Sequence, residues 1–179
     1  STGAQYSEDL VGALVVGLGV LGVFALSELA RIRAGWRSEA TRKFSHAASG
    51  LVVLLLPILV ESPKIIWGLA ASMVAVLWLG QHLRLLQSIH GVSRRTSGAY
   101  FYPLAIALLF QVTDGNLSLF AIPVLILALA DSGAALMGEE RGAVVYRVLD
   151  GERSLEGSLT FFSLSLILCL GGLSVTDAA

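Results

Sequence analysis

The sequence predicts an all-α polytopic membrane protein with about six transmembrane helices. Of its 179 residues, 55% are hydrophobic and only 14% are charged, and the mean hydropathy is +0.79. Soluble domains are about 45–50% apolar and about 25% charged, so this composition excludes a water-soluble globular fold. The chain also contains long charge-free runs. Each is close to the about 20 residues that a helix needs to cross the bilayer core. Because every backbone amide must be paired inside lipid, runs of this length are helices.

The charge-free runs define the spans in order. Five runs of 17 to 20 residues carry no charge, and a sixth, from 115 to 138, carries only Asp131. The predicted spans are 10–30, 44–60, 64–83, 98–113, 117–138 and 157–175. The first span has its basic cluster after it rather than before it, so we interpret it as a retained anchor and not a signal peptide. The sequence shows no repeat or linker, which predicts a single integral membrane domain, 1–179.

Basic residues are concentrated in alternate connections between the spans. Of the 12 Lys and Arg residues, all but Lys64 lie in the segments 31–43, 84–95 and 141–153. The positive-inside rule therefore places these three long connections in the cytoplasm and both termini outside. We predict a multi-pass protein of the cell membrane. Because topology accounts for the basic loops, they give no support to nucleic-acid binding.

Two motif matches are rejected on their context. GLGVLG at 17–22 has the dinucleotide-binding pattern, but that pattern requires a preceding strand and a helix that begins at the glycines. Here the glycines lie inside the first predicted span, where small residues allow helices to approach closely. The segment 116–118 is formally a glycosylation sequon, but its connection is short and lies against the membrane.

Candidate functional residues are concentrated on the predicted cytoplasmic side. The segment RKFSH places Arg42 four residues and Lys43 three residues before His46, so the three side chains share one helix face. The loop before the fourth span contains Arg94 and Arg95, and adjacent arginines can bind phosphate oxygens in a forked geometry. Interfacial anchoring explains the basic residues as well, and a single histidine is more often structural than catalytic.

Asp131 is the one charged residue that lies well inside a predicted span, since Glu28 and Lys64 lie at the ends of theirs. A carboxylate at the centre of a membrane helix costs about 2.5–3.5 kcal/mol on insertion scales, so it usually marks a functional site. Asp131 lies seven residues before Gly138, which puts it about 10 Å from the inner end of its span. This depth suits a carboxylate in a polar cavity that opens to the cytoplasm. An ion pair with an arginine of a neighbouring span is the structural alternative.

The connection before the last span supplies further candidates. Its polar residues continue directly into the span, and they are Arg153, Ser154, Glu156, Gly157 and Ser158. A serine at this place is typical of a helix N-cap. The backbone amides of a helix N-terminus also form an anion site. Together with the basic loops and the recessed carboxylate, these residues favour phosphate chemistry at the inner membrane surface over ion transport.

Four segments together resemble the CTP-dependent lipid kinases, the family that includes dolichol kinase, phytol kinase and yeast-type diacylglycerol kinase. The segments are RKFSH (42–46), SRRTSGAYFYP (93–103), ADSGAALMG (130–138) and RSLEGSLTFF (153–162). They extend over about two-thirds of the chain in the order that the family has. Members of this family share CTP and a similar motif with phosphatidate cytidylyltransferases.

The resemblance implies transfer of the γ-phosphoryl group of CTP, with Mg²⁺ or another divalent cation, to the hydroxyl of a membrane lipid alcohol. We expect Arg42, Lys43, His46 and Asp131 to be the catalytic residues, with Asp131 as the metal ligand or, alternatively, the base. The residues expected to bind the nucleotide and its phosphates are Arg94, Arg95, Gly138, Arg141, Arg153, Ser154, Glu156, Gly157 and Ser158. The acceptor is expected to be a polyprenol, a phytol-like alcohol or diacylglycerol.

The sequence departs from the family pattern at two places, and two other functions stay open. Arg153 stands where Lys is more usual, and GEERG at 138–142 replaces a more basic form. One alternative is a phosphatidate cytidylyltransferase-like enzyme that uses CTP to make a CDP-lipid. The other is a small transporter or scaffold without catalysis. A transporter is expected to carry repeats and polar groups in several spans, and the sequence shows neither.

Overall fold

The structure is a computed structural model that describes residues 2–36, 38–83, 98–148 and 151–176. In this part of the chain almost all elements are helices, and the sheet it contains is a single two-stranded hairpin. Five helical segments are long and apolar enough to cross a membrane, and a sixth apolar helix, Tyr100–Val112, is shorter. The predicted all-α polytopic class is therefore confirmed. The side on which the termini lie stays a prediction.

The first helix is longer than the predicted span 10–30. α1 (Thr2–Ala34) contains 33 residues and extends roughly 50 Å at about 1.5 Å per residue, well beyond the hydrocarbon core of about 30 Å. It ends before Gly35, which has a φ of 66°, a conformation that glycine adopts without a steric penalty. Near this end Glu28 and Arg31 form the ion pair that their spacing of three residues predicts.

The second span is interrupted near its end. α2 (Ser38–Val53) is followed by a turn at 54–55 and by the short helix α3 (Leu56–Leu59). The interruption comes just before Pro57, because proline lacks the amide hydrogen that a continuous helix requires. The two helices together correspond to the predicted span 44–60.

The third and fourth spans form an antiparallel pair. α4 (Pro63–His82) agrees with its predicted span, and α5 (Gly98–Val112) agrees with the next one. At its start α4 is fixed to α1 by Asp9, which is only 3% exposed and accepts hydrogen bonds from the backbone amides of Glu61 (3.1 Å) and Ser62 (2.9 Å). A carboxylate at this position also interacts favourably with the helix dipole.

The fifth span is one continuous helix that contains a π turn. α6 (Leu117–Leu125) is capped at its N-terminus by Asn116, whose side chain accepts a hydrogen bond from the amide of Leu119 at 3.1 Å. The asparagine of the rejected sequon is thus a helix cap. A π segment (Ile126–Ala130) follows and leads directly into α7 (Asp131–Arg141). π turns are rare and frequently occur at functional sites, and this one lies immediately before Asp131.

The long connection after α7, which the charge pattern indicated only as a loop, contains a β-hairpin. β1 (Val145–Val148) pairs antiparallel with β2 (Gly151–Ser154), and Val145 lies opposite Ser154. The β-branched and aromatic residues of β1 favour an extended strand. α8 (Leu155–Thr176) begins directly after β2 and forms the last span.

The helices associate mainly as three neighbouring pairs, α1 with α2, α4 with α5, and α7 with α8. Phe110 of α5 and Phe120 of α6 are fully buried between the first six helices, with their ring centroids 6.0 Å apart. α2 also packs against the π segment at very short range, since a Cβ added to Gly50 would lie 2.6 Å from the Cβ of Ala128. This close approach brings the beginning of α2 next to the beginning of α7.

Candidate active site

A cavity of about 540 Å³ lies between α1, α2, α4, α5 and the start of α7. Among the described lining residues, the polar ones come from three elements, α2, α5 and α7, and they are Arg42, Lys43, Ser45, His46, Ser49, Tyr102, Asp131 and Ser132. The four residues that the sequence predicted to be catalytic therefore line one cavity, although 85 or more residues separate the α2 group from Asp131. The sequence could predict each residue, but only the packing of α2 on the fifth span brings them together.

The remainder of the cavity wall is apolar. It is formed by α1, the end of α2, α3, α4 and α5, and includes Val20, Val53, Leu56, Ile66 and Leu77. From Arg42 to Val53 the cavity follows α2 over eleven residues, which corresponds to roughly 16 Å of helix. The volume falls within the about 300–1,000 Å³ typical of small-molecule sites. The site thus combines a charged end with an apolar body.

His46 is held from several sides at the charged end. Its ring lies against that of Tyr102, with the centroids 4.9 Å apart and the planes inclined by 60°. The ring also faces the backbone carbonyl of Leu127 in the π segment within hydrogen-bonding reach, and Asp131 and Arg42 are close enough to interact with it electrostatically. A histidine with this many neighbours has a restricted orientation, as positioning in an active site requires.

Lys43 forms an ion pair with Glu139 of α7. Its Nζ lies 2.6 Å from Glu139 Oε1, and the lysine side chain is 11% exposed whereas that of Glu139 is 58% exposed. Glu139 lies two turns after Asp131, on the side of α7 that faces α2. The pair therefore joins the two elements that carry the charged residues. The Lys43 ammonium group lies beside the cavity, and an anionic ligand could replace Glu139 as its partner.

Among the described residues that line the cavity, Asp131 is the one carboxylate. Within the described residues, no group of three or more His, Cys, Asp or Glu side chains is arranged to hold a metal ion. Mg²⁺ commonly binds to one or two carboxylates and completes its shell with waters and substrate phosphates. Asp131 fits that mode of binding and does not fit a cage built from protein ligands alone. Glu139, about 12 Å away along the helix, is too distant to bind the same ion.

The predicted phosphate-binding residues of the last motif form a tight helix crossing. A Cβ added to Gly138 would lie 2.9 Å from Ser154 Oγ, and one added to Gly157 would lie 2.9 Å from the Ala134 carbonyl oxygen. Ser154 is buried and accepts a hydrogen bond from the Gly157 amide at 3.1 Å. The helix-cap interpretation of Ser154 is therefore confirmed. Binding of phosphate here stays a prediction and would compete with this cap.

The other predicted phosphate ligands occupy different surroundings. Ser158 Oγ donates to the Ser154 carbonyl at 3.0 Å and lies 2.6 Å from the Tyr146 hydroxyl. Glu156 accepts a hydrogen bond from the Val144 amide at 3.3 Å. Arg141 and Arg153 are exposed on the same side of the molecule as this crossing. Arg94 and Arg95 lie outside the residues that the structure describes.

Sequence reasoning missed three residues of the site. Glu139 was noted only as part of a departure from the family pattern, Tyr102 only as part of the segment 93–103, and Ser49 was not noted. Ser49 follows Arg42 and His46 at helical spacing, so the periodicity of α2 contained a signal for it. Glu139 follows Asp131 at twice the i,i+4 spacing, which places both on one face of α7. No local pattern places Tyr102 beside His46, because it approaches His46 from another helix.

The fold and the cavity define a membrane-embedded helical protein with a deep apolar pocket that has cations and a carboxylate at one end. A phytol kinase from Synechocystis sp. is 36% identical to the chain over 146 residues, which cover 78% of this chain and 60% of that protein. This similarity to a phytol kinase agrees with the lipid-kinase resemblance of the motifs. The chain spans 60% of the length of this curated relative. No protein-family model and no solved structure matches this chain.

Proposed function

We propose that the protein is a CTP-dependent kinase that phosphorylates the hydroxyl of a membrane lipid alcohol at the cytoplasmic face. The observation that carries this proposal is the single cavity with a charged end and an apolar body. An isoprenoid alcohol has the same division, a hydroxyl at one end of a long apolar chain. Homology to a phytol kinase supports the same class of acceptor.

The polarity of the cavity orients such an alcohol. Burial of a hydrocarbon tail is favourable by about 25 cal/mol per Å², whereas a hydroxyl without a hydrogen-bond partner is costly to bury. The tail therefore occupies the part of the cavity near Leu56 and Ile66, and the hydroxyl lies near His46 and Asp131. This arrangement presents the acceptor oxygen to the charged residues.

The charged residues match the demands of phosphoryl transfer, which depends mainly on positioning and on stabilisation of phosphate charge. Arg42 and Lys43 supply positive charge for the triphosphate. Asp131 binds the Mg²⁺ that accompanies the nucleotide, and the ion neutralises charge on the phosphates when bound. His46 positions the hydroxyl and accepts its proton. If Asp131 is instead the base that accepts this proton, the hydroxyl lies at the same place, between Asp131 and His46.

The proposed phosphoryl transfer needs no reactant besides the lipid alcohol and the nucleotide. The lipid oxygen forms a bond to the γ-phosphorus while the bond between that phosphorus and the bridging oxygen breaks. The products are a lipid phosphate and a nucleoside diphosphate, and the hydroxyl proton goes to the base. The use of CTP follows from the resemblance of the motifs, and the cytoplasmic location follows from the basic loops that flank the site.

The decisive experiment is a phosphotransfer assay with purified protein in liposomes. CTP labelled at the γ position, Mg²⁺ and a panel of phytol, polyprenol and diacylglycerol are supplied, and label is measured in the extracted lipid. We expect label with at least one alcohol and a loss of about 10²-fold or more in Asp131→Asn. Competition by unlabelled ATP and UTP tests the choice of nucleotide.

Asp114→Asn is the matched control, since it makes the same chemical change at the turn on the far side of the bundle. Asp114 has a φ of 50°, which asparagine also tolerates. Full activity of folded Asp131→Asn would refute the assigned role of this carboxylate. Release of pyrophosphate with formation of a CDP-lipid from a lipid phosphate would instead identify a cytidylyltransferase.

A further inference from the structure

A second cavity, of about 430 Å³, lies on the outer surface between α1 and α4. It shares three lining residues with the first cavity, and these are Gly17, Leu69 and Met73. The three residues therefore form a boundary with open space on both sides. Neither the catalytic arrangement nor the rejected nucleotide motif accounts for this boundary.

Gly17 is the residue of α1 that contacts both other members of this boundary. A Cβ added to it would lie 3.0 Å from Leu69 Cδ1 and 3.6 Å from Met73 Cε. A larger side chain would press against both, so at Gly17 the α1 backbone already lies in close contact with these two flexible side chains. By contrast, a Cβ at Gly22 of the same helix would meet nothing within 4 Å.

The second cavity is open to the surroundings of the bundle and apolar along most of its length. Leu10, Leu14 and Leu18 of α1 line it and are 42%, 63% and 66% exposed. Lys64 is the one charged side chain among the described residues of its lining. In a membrane, such a surface faces the lipid tails, so an apolar chain can leave the protein here without contact with water.

We propose that Gly17, Leu69 and Met73 form a portal through which the tail of the lipid acceptor passes from the inner cavity to the groove between α1 and α4. This inference rests on the proposed function and narrows its substrate class to single-chain alcohols longer than the inner cavity. The hydroxyl stays at the charged end near Asp131 while the far end of the tail lies in the groove.

The combined length of the two cavities supports this path. Together their linings follow α1 from Tyr6 to Phe24, which corresponds to roughly 27 Å of helix. The hydrocarbon core of a bilayer is about 30 Å thick. A tail that follows this path remains in an apolar environment over nearly the whole membrane, and the inner cavity does not limit its length.

The test is a comparison of chain-length profiles between the unaltered protein and portal variants. Geraniol, farnesol, geranylgeraniol and a long polyprenol serve as acceptors, and kcat/KM is measured for each. We expect Gly17→Leu to retain activity on the shortest alcohol it accepts and to lose at least about tenfold on the longest. Met73→Ala widens the portal and is expected to favour the longest acceptor. Gly22→Leu is the matched control and is expected to keep the original profile.

A second measurement does not depend on catalysis. A polyprenol with a photoreactive group at its far end is cross-linked to the protein, and the labelled peptides are identified by mass spectrometry. We expect label on the part of α1 that includes Leu10 and Leu14, and its loss in Gly17→Leu. Absence of this label, or an unchanged profile in folded Gly17→Leu, overturns the portal. Absence of phosphorylation of every alcohol by the unaltered protein, with the groove still labelled, overturns the proposed kinase function alone.

Discussion

His46 lies where the second span, the fourth span and the π segment meet, and its neighbours explain why a histidine suits the position. The aromatic ring contacts Tyr102, and a ring nitrogen faces the Leu127 carbonyl. The other side of the residue is near Asp131 and Arg42. An aliphatic residue could pack against the Tyr102 ring but could not bond to the Leu127 carbonyl. A lysine or arginine would add to the positive charge already present. Histidine can contact the ring, bond to the carbonyl and accept a proton.

The ion pair between Lys43 and Glu139 predicts opposite effects for substitutions of its two members. Lys43→Ala removes a nearly buried ammonium group from the cavity, and we expect phosphotransfer to fall by about 10²-fold. Glu139→Gln leaves the lysine in place without its anionic partner. Because Glu139 is largely exposed, we expect only about a two- to fivefold decrease in the KM for nucleotide. Steady-state kinetics with varied nucleotide concentration measures both effects, and an increased KM in Glu139→Gln would contradict the role given to Lys43.

At the scale of the elements, α7 connects the charged end of the cavity with the last motif. One side of this helix carries Asp131 and Glu139 toward α2, and another side carries Gly138 toward the start of α8. The spacing of the acidic residues and the glycine was visible in the sequence. Their partners were not, because the partners belong to helices that are distant along the chain.

The crossing of α7 and α8 predicts a graded loss of stability. Ser154→Ala removes the cap of the Gly157 amide and is expected to destabilise the fold by about 1 kcal/mol. Gly157→Ala forces a Cβ to within 2.9 Å of a backbone oxygen, and we expect a cost of about 1–3 kcal/mol. Gly68→Ala, where the new Cβ meets nothing within 4 Å, is the control. Thermal unfolding in detergent ranks the three variants, and equal midpoints would show that the crossing is not close-packed.

For the whole molecule, the charge pattern predicts an orientation that can be measured directly. With Cys169→Ser as the background, single cysteines replace Glu61 in one outer connection and Glu140 at the end of α7. The positive-inside rule predicts that a membrane-impermeant thiol reagent added outside intact cells labels the first position and not the second. The reverse pattern would place the charged end of the cavity on the outer face and contradict the cytoplasmic site.

The sequence by itself determined the membrane class, the approximate limits of most apolar helices, and the residues that carry charge within them, whereas the predicted fourth span is a shorter apolar helix in the structure. These features depend on composition and on local spacing, because a bilayer requires long apolar helices and tolerates few charges. The hairpin, the interruption near Pro57 and the π turn were not predicted, since each depends on one or two residues within a longer apolar or charged pattern.

Only the tertiary structure decided which of these residues share a site. Gly50 and Ala128 permit α2 to approach the π segment, and this contact brings His46 and Lys43 to Asp131 and Glu139. The same is true of the apolar wall of the cavity, which comes from five helices. In a membrane all spans are apolar, so hydrophobicity does not specify which helix faces which. The specific partners are set by close packing of small residues and by a few polar contacts, and these can be identified only when the helices are assembled.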